Sequence, residues 1–204
     1  MSSTDDTRTL ILNAAKELFA AKGFNGTSVR DIVKAAGVNI SLVSYHFGGK
    51  DALYRECIKQ AGTNRLTIAR EIFAPASSAK DMRAKISSYI ERALTAFASD
   101  LATQKIIARE LDLGRKVFGD LLQDIFLKIH QTVWEFLTEC QNNGWIRKGL
   151  DCRLIASMMQ GLVINEVRLE EVKKSYFGPS IKDPEHRAEC AKHISAMILD
   201  GVVA

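Results

Sequence analysis

Two short helical segments on either side of one glycine constrain the fold of this 204-residue chain more than any other feature. The first lies at residues 27–36 and is ended by Gly37, and the second begins at Asn39 and ends near His46. A helix of about two turns does not hold its conformation alone. Both segments must therefore pack on neighbouring helices.

The ends of the two segments carry recognisable capping residues. Ser28 and Asp31 have the S-x-x-[DE] form of a capping box, and Asn39 can cap the second segment. We expect the packing face of the second segment to consist of Ile40, Val43 and Phe47.

Helical periodicity continues through the rest of the chain. The sequence has three prolines and 47% apolar residues, and it lacks sustained alternation of period two. These features predict an all-α fold of about nine helices, with long helices at residues 7–22, 51–73, 81–99, 102–113, 118–142, 150–174 and 185–199.

The chain has none of the sequence marks of a secreted or membrane protein. No segment approaches the ~18 consecutive apolar residues of a membrane span. The N-terminus lacks the basic and apolar regions of a signal peptide. We therefore expect a cytoplasmic protein without a membrane partner.

Sequence motifs for catalysis and metal binding are also missing. The four cysteines lack zinc-binding spacing and are interpreted as buried thiols, with redox sensing as the alternative. Glu110, Glu170 and Glu171 are interpreted as solvated carboxylates on helix surfaces. We expect no enzymatic activity, no metal and no cofactor.

A helix followed by two short helices and a tight glycine turn is the helix-turn-helix pattern, whose second short helix enters the major groove of DNA. Between Ala35 and Gly49 the chain has no Asp, Glu, Lys or Arg. Amides and hydroxyls in this segment can read base edges, while cations outside it can meet phosphates. The net charge of +4 permits DNA binding without establishing it.

The segment from Leu10 to Tyr54 resembles the N-terminal DNA-binding domain of the TetR family of bacterial transcriptional repressors. The resemblance rests on four motifs: "A..LF...G" at residues 15–23, "GTSVRDI" at 26–32, "AGV" at 36–38 and "YHFGGKDALY" at 45–54. It implies a helix-turn-helix domain at residues 1–54, followed by a helical ligand-binding and dimerisation domain at residues 55–204.

The resemblance also implies roles for individual residues. Phosphate contacts would come from Thr27, Ser28, Arg30, Tyr45, His46 and Lys50, with Arg30 also able to reach a base edge. Base contacts in the major groove would come from Asn39, Ser41, Leu42 and Ser44. The family often has Tyr where this chain has Ser44, and Lys where it has Ile40.

Structural roles remain open for several of these residues. Tyr45 and His46 can be packing residues, Asn39 can serve only as a cap, Leu42 can belong to the core, and Lys50 can be solvated.

For the second domain the resemblance implies a small-molecule effector and a homodimer on a palindromic operator, with reading helices roughly 34–36 Å apart. The candidate pocket residues are Arg109, His130, Trp134, Met158, Gln160 and Asn165. The expected dimer interface consists of Ile155, Leu162, Val163, Val167, Ile194, Met197 and Ile198, which also fit an intramolecular core. Two other interpretations are a DNA-binding regulator without a ligand and a helical enzyme.

Overall fold

The computed structural model describes residues 4–113 and 119–203. In chain order its elements are α1 (Thr4–Lys22), α2 (Val29–Ala36), α3 (Ser41–Phe47), α4 (Lys50–Ile72), α5 (Ala79–Ser99), α6 (Leu101–Leu113), α7 (Gly119–Leu121), a π-helical segment (Leu122–Leu127), α8 (Lys128–Asn142), α9 (Cys152–Arg168), α10 (Glu170–Phe177) and α11 (Pro184–Val202). The described residues contain no strand beyond an isolated bridge between Ile146 and Val203. The prediction of an all-α fold is confirmed. No helix in the described ranges has the length and apolarity to cross a membrane.

Two of the predicted helices differ from the observed ones. The helix expected at 150–174 is divided at Leu169, where α9 ends and α10 begins. The helix expected at 118–142 begins with Phe118, which lies outside the described residues, and it is π-helical over Leu122–Leu127. The backbone trace divides into two compact units, drawn from Met1–Gly62 with Asp100–Leu121 and from Thr63–Ser99 with Leu122–Ala204. The predicted functional boundary after Tyr54 stays a prediction.

The first unit has α1 at its centre, in contact with both α2 and α6. An aromatic cluster forms part of its core. The ring centroid of Tyr54 lies 4.8 Å from that of Phe19 and 5.0 Å from that of Phe24, and both pairs have edge-to-face geometry. This packing fixes the start of α4 against the end of α1.

Polar contacts attach α6, and Asp100 immediately before it, to the rest of the first unit. Lys16 forms an ion pair of 2.8 Å with Asp100. The Arg109 guanidinium donates to two carbonyls at the end of α1, those of Phe19 and Ala20, at 3.0 and 3.1 Å. A further contact is the hydrogen bond between Tyr54 and Glu110.

The interpretation of Glu110 as a solvated carboxylate is wrong. Its residue is 1% exposed, and its Oε1 accepts a hydrogen bond of 2.7 Å from the Tyr54 hydroxyl. A carboxylate is buried when a donor is provided for it, and this donor comes from a residue 56 positions away in sequence.

The second unit is a bundle in which α9 contacts α5, α8, α10 and α11. The apolar stripe predicted on α5 is confirmed, since Met82, Ile86, Tyr89, Ile90, Ala93, Leu94 and Phe97 are all buried. Phe73 joins this core, with its ring 4.8 Å from Tyr89 and 4.7 Å from Phe136.

Glu170 is likewise buried and not solvated as predicted. Its carboxylate accepts hydrogen bonds from the Ser180 hydroxyl and, at 3.0 Å, from the backbone N–H of Ile181. These bonds hold the loop between α10 and α11 against the start of α10.

The prediction of buried thiols holds for Cys57, Cys140 and Cys152, while Cys190 is half-buried. Burial raises the pKa of both Cys57 and Cys140 to about 12. These two thiols are therefore protonated at neutral pH and are poor nucleophiles.

Candidate nucleic-acid interface

The predicted capping box fixes the start of α2. The Ser28 hydroxyl accepts a hydrogen bond of 3.1 Å from the Asp31 N–H, and the Asp31 carboxylate accepts one of 3.0 Å from the Ser28 N–H. The Ser28 side chain and backbone hydrogen bonds lower the pKa of Asp31. The first turn of α2 is thus closed at the surface without help from a distant residue.

Two glycines set the ends of the short helices. Gly37 follows α2 with φ at 67°, and Gly48 follows α3 with φ at 77°. Both values lie in the left-handed region that favours glycine. The chain can therefore leave α2 sharply and begin α3 at Ser41.

Asn39 organises the start of α3, as its predicted capping role requires. Its Oδ1 accepts hydrogen bonds of 3.0 Å from both the N–H and the hydroxyl of Ser41. The side-chain oxygen is therefore occupied, and the amide NH₂ is the group that Asn39 can offer to a base.

The faces of α3 differ in exposure. Val43 is fully buried and anchors the helix, while Leu42 and His46 are half-buried. Ile40 was expected in the packing face, but half of it is exposed. The remaining polar and aromatic residues that face solvent are Ser41, Ser44 and Tyr45, with Tyr45 76% exposed.

Cations support the edges of this surface. The Arg8 guanidinium lies 5.1 Å from the Phe47 ring centroid and pairs with Glu56 at 2.6 Å, an anchor that sequence reasoning missed. The Lys50 ammonium lies 4.1 Å from the Phe24 ring centroid. Arg30 is exposed on α2. The positive groups therefore flank α3, while α3 itself carries no formal charge.

Some known proteins match only the N-terminal segment that contains α2 and α3, and others match most of the chain. The model of the family "Bacterial regulatory proteins, tetR family" matches residues 11–57. A probable HTH-type transcriptional regulator of Bacillus subtilis, YttP, is 44% identical over 54 residues, which are 26% of each chain. The chain thus spans about a quarter of the length of that relative. The Escherichia coli regulator UidR is 23% identical over 82% of this chain and 85% of its own.

Two solved structures have the same fold along nearly the whole chain. The ketosteroid transcriptional regulator KstR2 of Mycobacterium tuberculosis aligns with a TM-score of 0.77 at 18% identity, over 97% of this chain and 95% of its own. A putative fatty acid metabolism regulator of Clostridium perfringens aligns with a TM-score of 0.77 at 20% identity, over 96% and 99%. The chain thus carries a TetR-type domain at residues 11–57 and has the fold of these two regulators along nearly its whole length.

The TetR-type domain and the regulators among its relatives point to DNA-binding transcriptional regulation. Its matched relatives are named as regulators, in agreement with the expectation that it is no enzyme. No cluster of His, Cys, Asp and Glu suited to a metal ion is found among residues 4–113 and 119–203.

The structure does not support the phosphate contact expected for Thr27. Thr27 is 1% exposed, and its hydroxyl lies 2.9 Å from the Gly23 carbonyl oxygen and 3.1 Å from that of Leu18. The hydroxyl is therefore used inside the TetR-type domain, where it ties the start of α2 to the end of α1.

The candidate pocket residues do not form one group. His130 Nδ1 and Gln160 Oε1 lie 3.0 Å apart, and Trp134 is covered by the guanidinium of Arg153 at 4.5 Å. Other members lie elsewhere: Met158 and Asn165 are exposed on α9, and Arg109 belongs to the first unit.

The expected dimer residues need correction. Ile155, Val163, Val167, Ile194 and Ile198 are buried within the chain itself, and Leu162 is half-buried. Met197 alone among the seven is exposed, at 65%. Of the exposed apolar residues of α9, sequence reasoning assigned Met158 to the pocket and did not single out Leu154 and Ile164.

We predict that Thr27→Val lowers the free energy of unfolding by about 1–2 kcal/mol, because it removes a buried hydroxyl that satisfies backbone carbonyls. Thr27→Ser, the matched control, keeps the hydroxyl and most of the stability. Denaturant unfolding measures both. The salt dependence of DNA binding should not change in Thr27→Val, and a slope shallower by about one unit would instead show a phosphate contact.

Proposed function

We propose that this TetR-family regulator is a repressor that binds a palindromic operator as a homodimer and leaves it when a small molecule binds the second unit. We place it in the cytoplasm, with its DNA. The observation that carries the proposal is the surface of α3, where exposed hydroxyl, amide and phenol groups stand without formal charge between flanking cations.

The exposed side chains of α3 fit the chemistry of the major groove. Ser44 can donate to or accept from base edges, and Ser41, whose hydroxyl donates to Asn39, can accept. The Asn39 amide can donate, and Leu42 can touch a thymine methyl. Tyr45 and His46 can reach phosphates with polar groups at the end of their rings. Ser28, Arg30 and Lys50 extend the phosphate set, and the ammonium of Lys50 would exchange its aromatic contact for a phosphate oxygen.

We predict that Ser44→Ala changes the preferred operator at one symmetry-related pair of positions. The serine is exposed in the middle of α3, and a lost base contact costs about 1–3 kcal/mol. Selection from randomised DNA with wild type and variant measures the change. Thr67→Ala, at an exposed position on α4, is the control and should keep the wild-type consensus. An identical consensus for Ser44→Ala would place base reading on other residues.

The dimer interface is proposed for the exposed faces of α9 and α11. Leu154, Met158, Gly161 and Asn165 follow each other at spacings of one helical face on α9, and all four are exposed. A β-carbon at Gly161 would meet nothing within 4 Å in the single chain. Glycine inside a helix costs about 1 kcal/mol relative to alanine, and close approach of a second helix is a use that offsets this cost.

We predict that Met158→Glu and Met197→Glu each weaken dimerisation at least about tenfold, because a carboxylate would replace buried apolar surface. Sedimentation measurements over a range of concentrations report the dissociation constant. Leu10→Glu, which changes a residue 48% exposed on α1, should leave it unaltered. Wild-type dimerisation in both methionine variants would exclude this face.

The proposed effector site uses a chain of polar side chains inside the second unit. Burial raises the pKa of Tyr89, while its hydrogen bond to Gln160 acts in the opposite direction. Gln160 in turn meets His130. These residues lie on α5, α8 and α9, so a molecule that exchanges hydrogen bonds with them can favour one arrangement of the bundle over another.

We predict that Gln160→Leu reduces the potency of releasing compounds at least about tenfold, since a hydrogen bond to a buried partner is lost. Release of labelled operator during a small-molecule screen measures potency, and operator affinity without compound should be unchanged. Gln131→Leu, at an exposed position on α8, serves as the control. Equal potency on wild type and Gln160→Leu would move the effector away from this chain of residues.

A further inference from the structure

Ile40 occupies an unusual position for a large aliphatic residue. It immediately precedes α3 with helical φ and ψ of −60° and −33°. Half of its surface is exposed, although the sequence pattern assigns it to the packing face. Its immediate neighbours, Asn39 and Ser41, are exposed polar residues joined by hydrogen bonds. The core of the helix-turn-helix is closed without full burial of Ile40, because Val43 is already completely covered.

Single exposed aliphatic residues are common and by themselves indicate nothing. The location of Ile40 is what distinguishes it. The N-terminal residues of a recognition helix contact base edges in the major groove, and Ile40 stands at that end. The residues around it, from Ala35 to Gly49, carry no Asp, Glu, Lys or Arg that would keep the side chain hydrated.

We infer that Ile40 is a specificity-determining residue that contacts the 5-methyl group of a thymine in each operator half-site. This inference rests on the proposed function. The thymine methyl is the apolar group among the donors and acceptors of the major groove. A β-branched side chain has few rotamers to lose on binding, so Ile40 presents a preformed apolar surface to that methyl.

The same contact selects against cytosine, because the aliphatic side chain cannot accept a hydrogen bond from the cytosine amino group. The serines of α3 can both donate and accept and discriminate less between bases. Ile40 therefore adds a discrimination that Ser41 and Ser44 do not provide. Leu42 is the other apolar residue close to this surface, and it is half-buried.

The test replaces thymine by deoxyuridine, which removes only the methyl group. An operator is first selected from randomised DNA with wild-type protein. Each symmetric pair of thymines is then replaced, and affinity is measured at one fixed salt concentration. Loss of one buried methyl corresponds to about fourfold per half-site and about fifteenfold for the pair. We expect one pair to show this loss with wild type and not with Ile40→Ala, whereas a pair read by Leu42 stays sensitive in both proteins.

Matched variants separate this contact from a general defect. Leu42→Ala should keep the sensitivity at that pair. Ile40→Val should also keep most of it, whereas Ile40→Ala should lose it. Thermal unfolding should be similar for all three. Loss of sensitivity in Leu42→Ala, with its retention in Ile40→Ala, would overturn the inference and assign the contact to Leu42.

The inference and the proposed function fail in different ways. A wild-type protein that selects no sequence contradicts the proposed function and with it this contact. A wild-type protein that selects an operator, but responds to every deoxyuridine as Ile40→Ala does, leaves the function intact and removes Ile40 from base reading.

Discussion

The proposed DNA-binding surface depends on the anchoring of α3, a helix of seven residues. Isolated helices shorter than about 12–15 residues are marginal in water, so α3 takes its order from contacts outside itself. The burial of Val43 supplies the apolar contact, Asn39 closes the start, and Gly48 closes the end. Arg8 adds a contact from α1 to the Phe47 ring. All of these contacts lie at the inner face or the ends of α3. The residues of the outer face are therefore not needed to hold the helix in place and are available to contact DNA.

Anchoring of α3 requires in turn that α1 is held firmly, and α6 provides this. The last carbonyls of an α-helix lack partners within the helix. The Arg109 guanidinium donates to the carbonyl of Ala20 and shares that of Phe19 with the Gly23 N–H. The Tyr54–Glu110 hydrogen bond and the Lys16–Asp100 ion pair add two further contacts within the same unit. Charge-assisted hydrogen bonds in partly buried positions are stronger than exposed ion pairs. By these contacts α6 is structurally part of the DNA-binding unit, although it follows α3 by more than fifty residues in sequence.

Features that depend on neighbours in sequence could be predicted, and features that depend on distant partners could not. The Ser28–Asp31 capping box, the glycine-ended short helices and the buried stripe of α5 are set by residues within a few positions of each other. Glu110 was assigned to solvent because its donor, the Tyr54 hydroxyl, is reached only after α4 and α6 pack on α1. The burial of Thr27 could not be predicted for the same reason, since the acceptors of its hydroxyl lie at the end of α1. Ile40 shows the opposite error, because it was expected to be buried and half of it is exposed. Periodicity predicts which face of a helix packs inward, but not whether a residue at the end of that face has neighbours to cover it.

The α9 helix shows how burial within the single chain separates most of the expected dimer residues from a second set of apolar residues that is exposed. Its inner face is apolar at Ile155, Met159 and Val163, which are buried in the chain. Its outer face is also apolar, at Leu154, Met158 and Ile164, and these residues are exposed. A helix that is apolar on both sides is one that is covered on both sides, and the single chain covers only one. Periodicity alone could not show which of the two apolar stripes packs inside the chain, and the burial of each residue shows it. The stripe left uncovered by the bundle is the one that we propose a second copy of the chain buries.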